Sequence, residues 1–222
     1  MLDIQITDAR KLIIATGVKL ITKHLVAGSW GNISMKIEKD CYAITPSGRA
    51  YDTMTADDVA IVNSSGTKMA GNLIPSSELP LHLAIYKAHP CFKAIIHTHS
   101  VYASACAAMQ RPIPALIEDM AQVTGGSLNV SKYAMAGTKT LATNAVLAMG
   151  DSNAVLLANH GAVCCGKSLA EALIVAEIVE KAAQIYCITA SMGGGIALAT
   201  EDVKQMRTFY KEHYSKRQAG DE

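Results

Sequence analysis

KAIIHTHSVYASA, residues 93–105, passes from an apolar run through two histidines into a small-residue helix start. Side chains alternate faces along a strand, so in AIIHTH the residues His97 and His99 project the same way and can chelate one ion. Two histidines at this spacing also occur as an ordinary surface or hydrogen-bonded pair, and further ligands are needed to decide. Downstream, SVYASACAAM reads as a helix capped by Ser100. Upstream, PSSELPLHLAIYKAHP predicts a helix capped by Ser76 or Ser77, with Glu78 in its first turn, Ala88 near its end and Pro90 as the stop. A strand set directly between two helices is the grammar of an α/β fold.

The pattern extends in both directions. Ile14, Val18, Ile21 and Leu25, widened by Ile13 and Leu20, predict a helix from Thr7 to about Val26, and Gly28 offers its stop. NISMKI and CYAIT read as a hairpin around the charged EKD; VAIVN reads as another strand, with SSGTKMAG as a loop or hairpin tip. After a turn-rich stretch with a short helix around Glu118, a helix from Thr138 to Met149 precedes the strands AVLLAN and AVCCG. A long helix from Ser168 to about Ala190 follows, and TEDVKQMRTFYKEHYSKRQ reads as a last one. The early strands are too close together for parallel crossovers, so the expectation is one layered α/β domain, residues 1–222, with a mixed, largely antiparallel sheet.

With 222 residues, 50% of them hydrophobic, the chain can bury a large core. A net charge of +1 and no basic cluster beside aromatic residues give no field for nucleic acid or anionic lipid. The six cysteines lack CxxC spacing, and several sit in apolar runs, as reduced core thiols do. Neither a signal peptide nor a stretch of about 18 to 20 apolar residues is evident. The chain reads as a soluble cytoplasmic protein whose partner is a small molecule.

VLLANHGAV supplies a third histidine, His160, at the end of an apolar strand, where Gly161 lets the backbone turn. Three imidazoles at two strand ends form a facial ligand set, and Glu78 is a candidate fourth ligand; this donor set suits Zn²⁺, with Mn²⁺, Fe²⁺ or Co²⁺ as substitutes. His82, one helical turn after Glu78, could take its place or face the core. His24, His89 and His213 have structural or solvent contexts. Nearby, GSWGNIS, TPSG and PSSE are small polar turns of the kind that present backbone N–H groups and hydroxyls to phosphate, and Ser76 and Ser77 stand at a helix N-terminus.

GSWGNIS, ITPSG, SSELPLHLAIY, AIIHTHS and LLANHGAV, taken in order, resemble the class II aldolase/adducin family, and in particular its bacterial sugar-phosphate aldolases. The resemblance implies an α/β/α sandwich, catalytic zinc on Glu78, His97, His99 and His160, and a phosphate site at Gly31, Asn32, Ser47, Gly48, Ser76 and Ser77. It implies cleavage of a ketose 1-phosphate, such as L-fuculose 1-phosphate or a related deoxy-ketose phosphate, into dihydroxyacetone phosphate and an aldehyde, with Glu78 as both ligand and base. Within the family the alternatives are a ribulose-phosphate 4-epimerase, a methylthioribulose-phosphate dehydratase and an oxo sugar-acid phosphate decarboxylase. A non-catalytic adducin-like interaction domain is the alternative of another class. The tyrosine that these aldolases contribute from a neighbouring subunit is missing from PALIEDMAQVTGG, where register from Gly125-Gly126 places Asp119, beside Glu118. Tyr210 and Tyr214 correspond to a mobile tail tyrosine that covers the site. A homotetramer with active sites at subunit boundaries is implied as well.

Overall fold

The structure, a computed structural model, describes residues 2–214. Seven α-helices are present among them: α1 (Leu2–Thr22), α2 (Leu79–Ala88), α3 (Val101–Met109), α4 (Glu118–Thr124), α5 (Lys139–Met149), α6 (Leu169–Ser191) and α7 (Thr200–Phe209). The strands are β1 (Asn32–Glu38), β2 (Cys41–Ile44), β3 (Ala60–Val62), β4 (Lys68–Ala70), β5 (Ala94–Thr98), β6 (Val130–Ser131), β7 (Ala154–Leu157) and β8 (Gly161–Gly166). They form one eight-stranded sheet in the order β4-β3-β2-β1-β5-β8-β7-β6. Every pairing is antiparallel except β6 with β7, so the sheet is mixed and largely antiparallel.

The period of two along each strand divides the core into two halves. Ala94 and Ile96 of β5, with Ala162 and Cys164 of β8 and Ala154 and Leu156 of β7, face one cluster shared with α1, α3 and α6. Ile95, Val163, Cys165, Val155 and Leu157 face the other, packed on α2 and α5. The result is an α/β/α sandwich whose middle strands β5 and β8 are apolar on both faces, as a strand covered on both sides must be. Among the described residues no helix is long and apolar enough to cross a membrane.

Several boundaries differ from the sequence expectation. Helix α1 begins at Leu2 and ends at Thr22, before His24 turns the chain at φ 56° and Gly28 at φ 60°. Ser76 and Ser77 lie outside α2: Glu78 occupies its N-cap position and donates its N–H to Ser76 Oγ at 3.2 Å. Ser100 precedes α3, but its hydroxyl makes no capping bond; Glu180 of α6 instead accepts the N–H groups of Tyr102 and Ala103, each at 2.9 Å. A carboxylate there satisfies two orphan donors and the helix dipole together, which one hydroxyl cannot do. Lys68–Ala70 pairs with β3 as a strand rather than a bare loop, and the short parallel β6 went unread in the turn-rich stretch. The last helix gives way to a π-helical turn, Tyr210–Tyr214.

Candidate active site

His97 lies within β5 on the α2 face and is fully buried. Its Nδ1 stands 2.9 Å from the carbonyl oxygen of Ala162 on β8. A carbonyl only accepts, so Nδ1 carries the proton and a neutral ring leaves a bare Nε2 lone pair. That lone pair meets His99 Nε2 at 2.8 Å and His160 Nε2 at 3.3 Å. His160 does not end β7: it sits in the tight turn between β7 and β8, its N–H donating to Leu157 O at 3.0 Å. Asn159 takes φ 56° there, and the turn is tied to α3 by Asn159 N–H to Ala107 O at 3.0 Å. Gly161 is required at this point because a Cβ would lie 2.2 Å from Thr98 O on the paired strand. β5 therefore delivers His97 and His99, and its partner hairpin presses His160 against them.

Glu78 completes the group, with Oε2 3.1 Å from His97 Nε2 and Oε1 3.7 Å from His160 Nε2. One donor atom from each of the four residues lies within 4.8 Å of every other. Burial, with the neighbouring imidazoles adding to it, lowers His99 to about 3 and His160 to about 4, so their ring nitrogens hold free lone pairs at neutral pH. For Glu78 burial pushes the carboxyl upward, but His97, His160 and the hydrogen bond from Asn32 outweigh it and hold the group ionised. Glu78 Oε1 is buried and has no hydrogen-bond partner. Converging nitrogen lone pairs and an orphaned carboxylate oxygen repel one another unless a cation lies among them, and three imidazoles with one carboxylate form a donor set that could hold a divalent metal ion.

The cluster opens into a cavity of about 320 Å³ whose wall contains Gly31, Asn32, Ser47, Gly48, Ser76 and Ser77 beside Glu78, His99 and His160. All three small polar turns thus meet at one place. TPSG and PSSE are joined by a bridge between Pro46 and Pro75 and by Ser47 N–H to Ile74 O and Ser76 N–H to Thr45 O, both at 3.0 Å. Gly31 has φ 82°, and a Cβ on it would stand 2.6 Å from His97 O, so only glycine brings this turn against β5. Among the described residues no lysine or arginine lines the cavity. An anion would be held there by backbone N–H groups and hydroxyls, with its charge balanced by a cation at the neighbouring cluster.

Trp30, the third residue of GSWGNIS, carries no motif signal in the sequence; it is 67% exposed, lines the cavity and lies 5.7 Å, ring to ring, from His99. His82 is fully buried, outside the four-residue group, and bonds Ser34 and Asn32 instead. The i, i+4 spacing from Glu78 was its only sequence signal.

The remaining predicted residues lie elsewhere. Glu118 and Asp119 open α4, where Asp119 accepts the N–H of Met120 and pairs with Lys181 Nζ at 2.5 Å; neither lines the cavity. Tyr210, expected from the resemblance as a mobile cover, stands away from the cluster within this chain. It is 2% exposed, packed into the core below Arg207, and lines a second cavity with His89 and Cys91, at the end of the sheet where β5 begins rather than where the histidines stand. The Tyr214 side chain lies outside the described residues.

Comparison with known proteins gives the chain's family. A sequence model of the class II aldolase and adducin N-terminal domain matches residues 11–187. A 5-deoxy-D-ribulose 1-phosphate aldolase of Bacillus thuringiensis is 37% identical over 198 residues, covering 89% of this chain and 92% of its own. The L-fuculose phosphate aldolase of Escherichia coli K12 is 32% identical over 190 residues, 86% of this chain and 87% of its own. A solved L-fuculose 1-phosphate aldolase superposes with a TM-score of 0.89 at 37% identity, over 92% of this chain and 96% of its own. The chain belongs to the class II aldolase/adducin family.

Proposed function

We propose that the protein is a zinc-dependent class II aldolase that cleaves a ketose 1-phosphate, of the L-fuculose 1-phosphate or 5-deoxy-ketose 1-phosphate kind, into dihydroxyacetone phosphate and an aldehyde. The observation that carries this reading is the single opening in which the Glu78, His97, His99, His160 cluster meets three neutral anion-binding turns. A divalent ion held by those four residues would supply Lewis-acid polarisation of the substrate carbonyl. The turns at Gly31, Asn32, Ser47, Gly48, Ser76 and Ser77 grip the phosphate and so fix the carbonyl end of the substrate against the cluster. In the cleavage direction the hydroxyl proton on C4 goes to a base, the C3–C4 pair passes to C3, and the C4–O bond becomes the aldehyde carbonyl. C3 then takes a proton through Glu78, which, ionised in the free protein, first gains it from solvent, while the base returns the C4 hydroxyl proton to solvent, so the two transfers balance.

The base for the C4 hydroxyl is Asp119, or Glu118 beside it, brought from a neighbouring copy in a homotetramer; within one chain both stand apart from the cavity. The protein works in the cytoplasm as a single-domain enzyme on a small phosphorylated sugar, with no nucleic-acid or membrane partner. The deciding experiment incubates the zinc-loaded protein with L-fuculose 1-phosphate, 5-deoxy-D-ribulose 1-phosphate, ribulose 5-phosphate and methylthioribulose 1-phosphate and separates the products. Dihydroxyacetone phosphate with a matching aldehyde is the expected result. An isomerised or dehydrated product would replace the aldolase by another member activity, and no turnover of any sugar phosphate would favour an adducin-like binding role.

A further inference from the structure

Behind the candidate site runs a buried series of five polar side chains that starts at Glu78 and Asn32 and continues through His82, Ser34 and Tyr86, three residues that the cleavage chemistry does not use directly. Asn32 Nδ2 donates to Glu78 Oε2 at 2.8 Å. The other end of the same amide, Oδ1, only accepts, so His82 Nε2, 2.5 Å away, carries a proton and donates it. A neutral His82 then presents a bare Nδ1, to which the Ser34 hydroxyl donates at 2.6 Å. Ser34 Oγ is left to accept from Tyr86 Oη at 2.9 Å. Every proton in the series is placed by the carboxylate at its end, and all five side chains are at most 5% exposed.

A polar chain at this depth is costly unless every member is satisfied, and when satisfied it fixes each member's orientation. Register explains its assembly. Asn32 and Ser34 sit two apart on β1, so both face α2, while His82 and Tyr86 sit four apart on α2, so both face β1. The chain ends on Asn32, which stands in the cavity wall and holds one oxygen of Glu78. With Oε2 held by Asn32 3.1 Å from His97 Nε2, the orphaned Oε1 stands 3.7 Å from His160 Nε2.

We propose that His82 is a positioning residue, which locks the Asn32 amide through its Nε2–H and thereby fixes Glu78 both for the metal and for the proton it moves. This inference rests on the reading of the cluster as a metal site given above. Outer partners of metal ligands typically alter metal affinity or activity by about 10- to 100-fold when removed. An amide can repeat the imidazole's Nε2 donor and its acceptor, whereas a phenyl ring of similar size can do neither.

The test uses the full-length protein and its His82→Phe, His82→Gln and Ser34→Ala variants, with three readouts. Nitrogen-15 spectra of the wild type should show His82 as the Nε2–H tautomer; an Nδ1–H tautomer would overturn the assignment. Zinc affinity, measured against a competing chelator, should fall about tenfold or more in His82→Phe and recover to within a few-fold of wild type in His82→Gln. Turnover of the ketose 1-phosphate should fall in kcat in the same order. Should His82→Phe not fold, Ser34→Ala decides, because it keeps the imidazole and removes the hydroxyl that donates to its Nδ1: a loss of zinc affinity or kcat is expected, and wild-type values in both contradict the proposal. Zinc affinities that follow this order in a protein cleaving no ketose phosphate would sink the substrate reading while leaving the positioning role intact. A wild type that binds no zinc at all would leave nothing for Glu78 to be positioned for, and overturns both.

Discussion

Asn32 has two tasks, and its neighbour in the cavity wall, Ser76, has one. Asn32 lines the candidate anion-binding cavity and also donates to Glu78, whereas Ser76 lines the same cavity and its hydroxyl accepts a backbone N–H. Ser76→Ala should therefore raise KM for the phosphorylated ketose with little change in kcat, as expected for a contact made alike in ground and transition states. Asn32→Ala should raise KM and also lower kcat by about tenfold or more, the cost typical of losing a ligand's outer partner. Steady-state kinetics on the two variants separates these outcomes. His82 gives a second residue-level signature. Burial, offset only in part by Glu78, lowers its imidazole from 6.5 to about 3. The unfolded chain takes up this proton near pH 6.5 and the folded chain does not until about pH 3, so the associated stability is complete above 6.5 and lost progressively as pH falls. In metal-free protein the Tm of the wild type should fall more steeply between pH 7 and 5 than that of His82→Gln, as calorimetry would register; equal slopes would mean that His82 protonates freely in the folded state.

At the scale of elements, α3 begins two residues after His99, and its first turn is held by a carboxylate from the far helix α6 rather than by its own Ser100. Glu180→Ala should cost about 1–2 kcal/mol, in line with the loss of a helix cap, and denaturant unfolding would measure it. Glu180→Gln, which still offers one acceptor, should cost less; an unchanged midpoint in both would show that the cap carries no stability. This contact also marks the boundary of what was legible in the chain. Periodicity in AIIHTH, AVCCG and the 169–191 helix is local, set by which faces are covered, and it placed the central strands and helices. Glu180 lies 77 and 78 residues from the N–H groups it accepts, and no local pattern announces such a pairing. Likewise β6 is two residues long, and its parallel partner arrives only after α5, so NVS carries no strand signature of its own. The four candidate ligands were legible because strand alternation puts His97 and His99 on one side. What brings His160 to them, a positive-φ Asn159 and a glycine against Thr98 O, is tertiary geometry. The burial of Tyr210 was illegible for the same reason: its place depends on how α7 packs, not on its being near the end of the chain.

Across the whole molecule, the candidate metal ligands and anion-binding turns lie together on one chain, whereas the candidate second base stands apart from them. Asp119 stands on α4, paired with Lys181 and away from the cavity. A symmetric ring that sets α4 of one copy beside β5 of the next would complete the reaction, and closed homo-oligomers make such shared sites routinely. Mixed assemblies then give a direct expectation. His97→Ala and Asp119→Ala proteins, each inactive alone, should regain part of the activity after dissociation and reassociation, because some interfaces combine an intact metal set with an intact carboxylate. Recovery with Glu118→Ala in place of Asp119→Ala would assign the role to Glu118. A fully active species that sediments as a monomer would refute the shared site.

The central claim is that Glu78, His97, His99 and His160 hold the one ion on which carbon–carbon cleavage depends. The most direct measurement strips the protein with a chelator, restores zinc in steps, and follows dihydroxyacetone phosphate release from a ketose 1-phosphate at each step. Activity should rise in proportion to bound zinc and level off at one ion per chain, and His99→Ala protein, folded by circular dichroism, should neither retain the ion nor cleave. Full cleavage by stripped protein, or a His99→Ala protein that binds zinc and turns over like the wild type, would contradict the account.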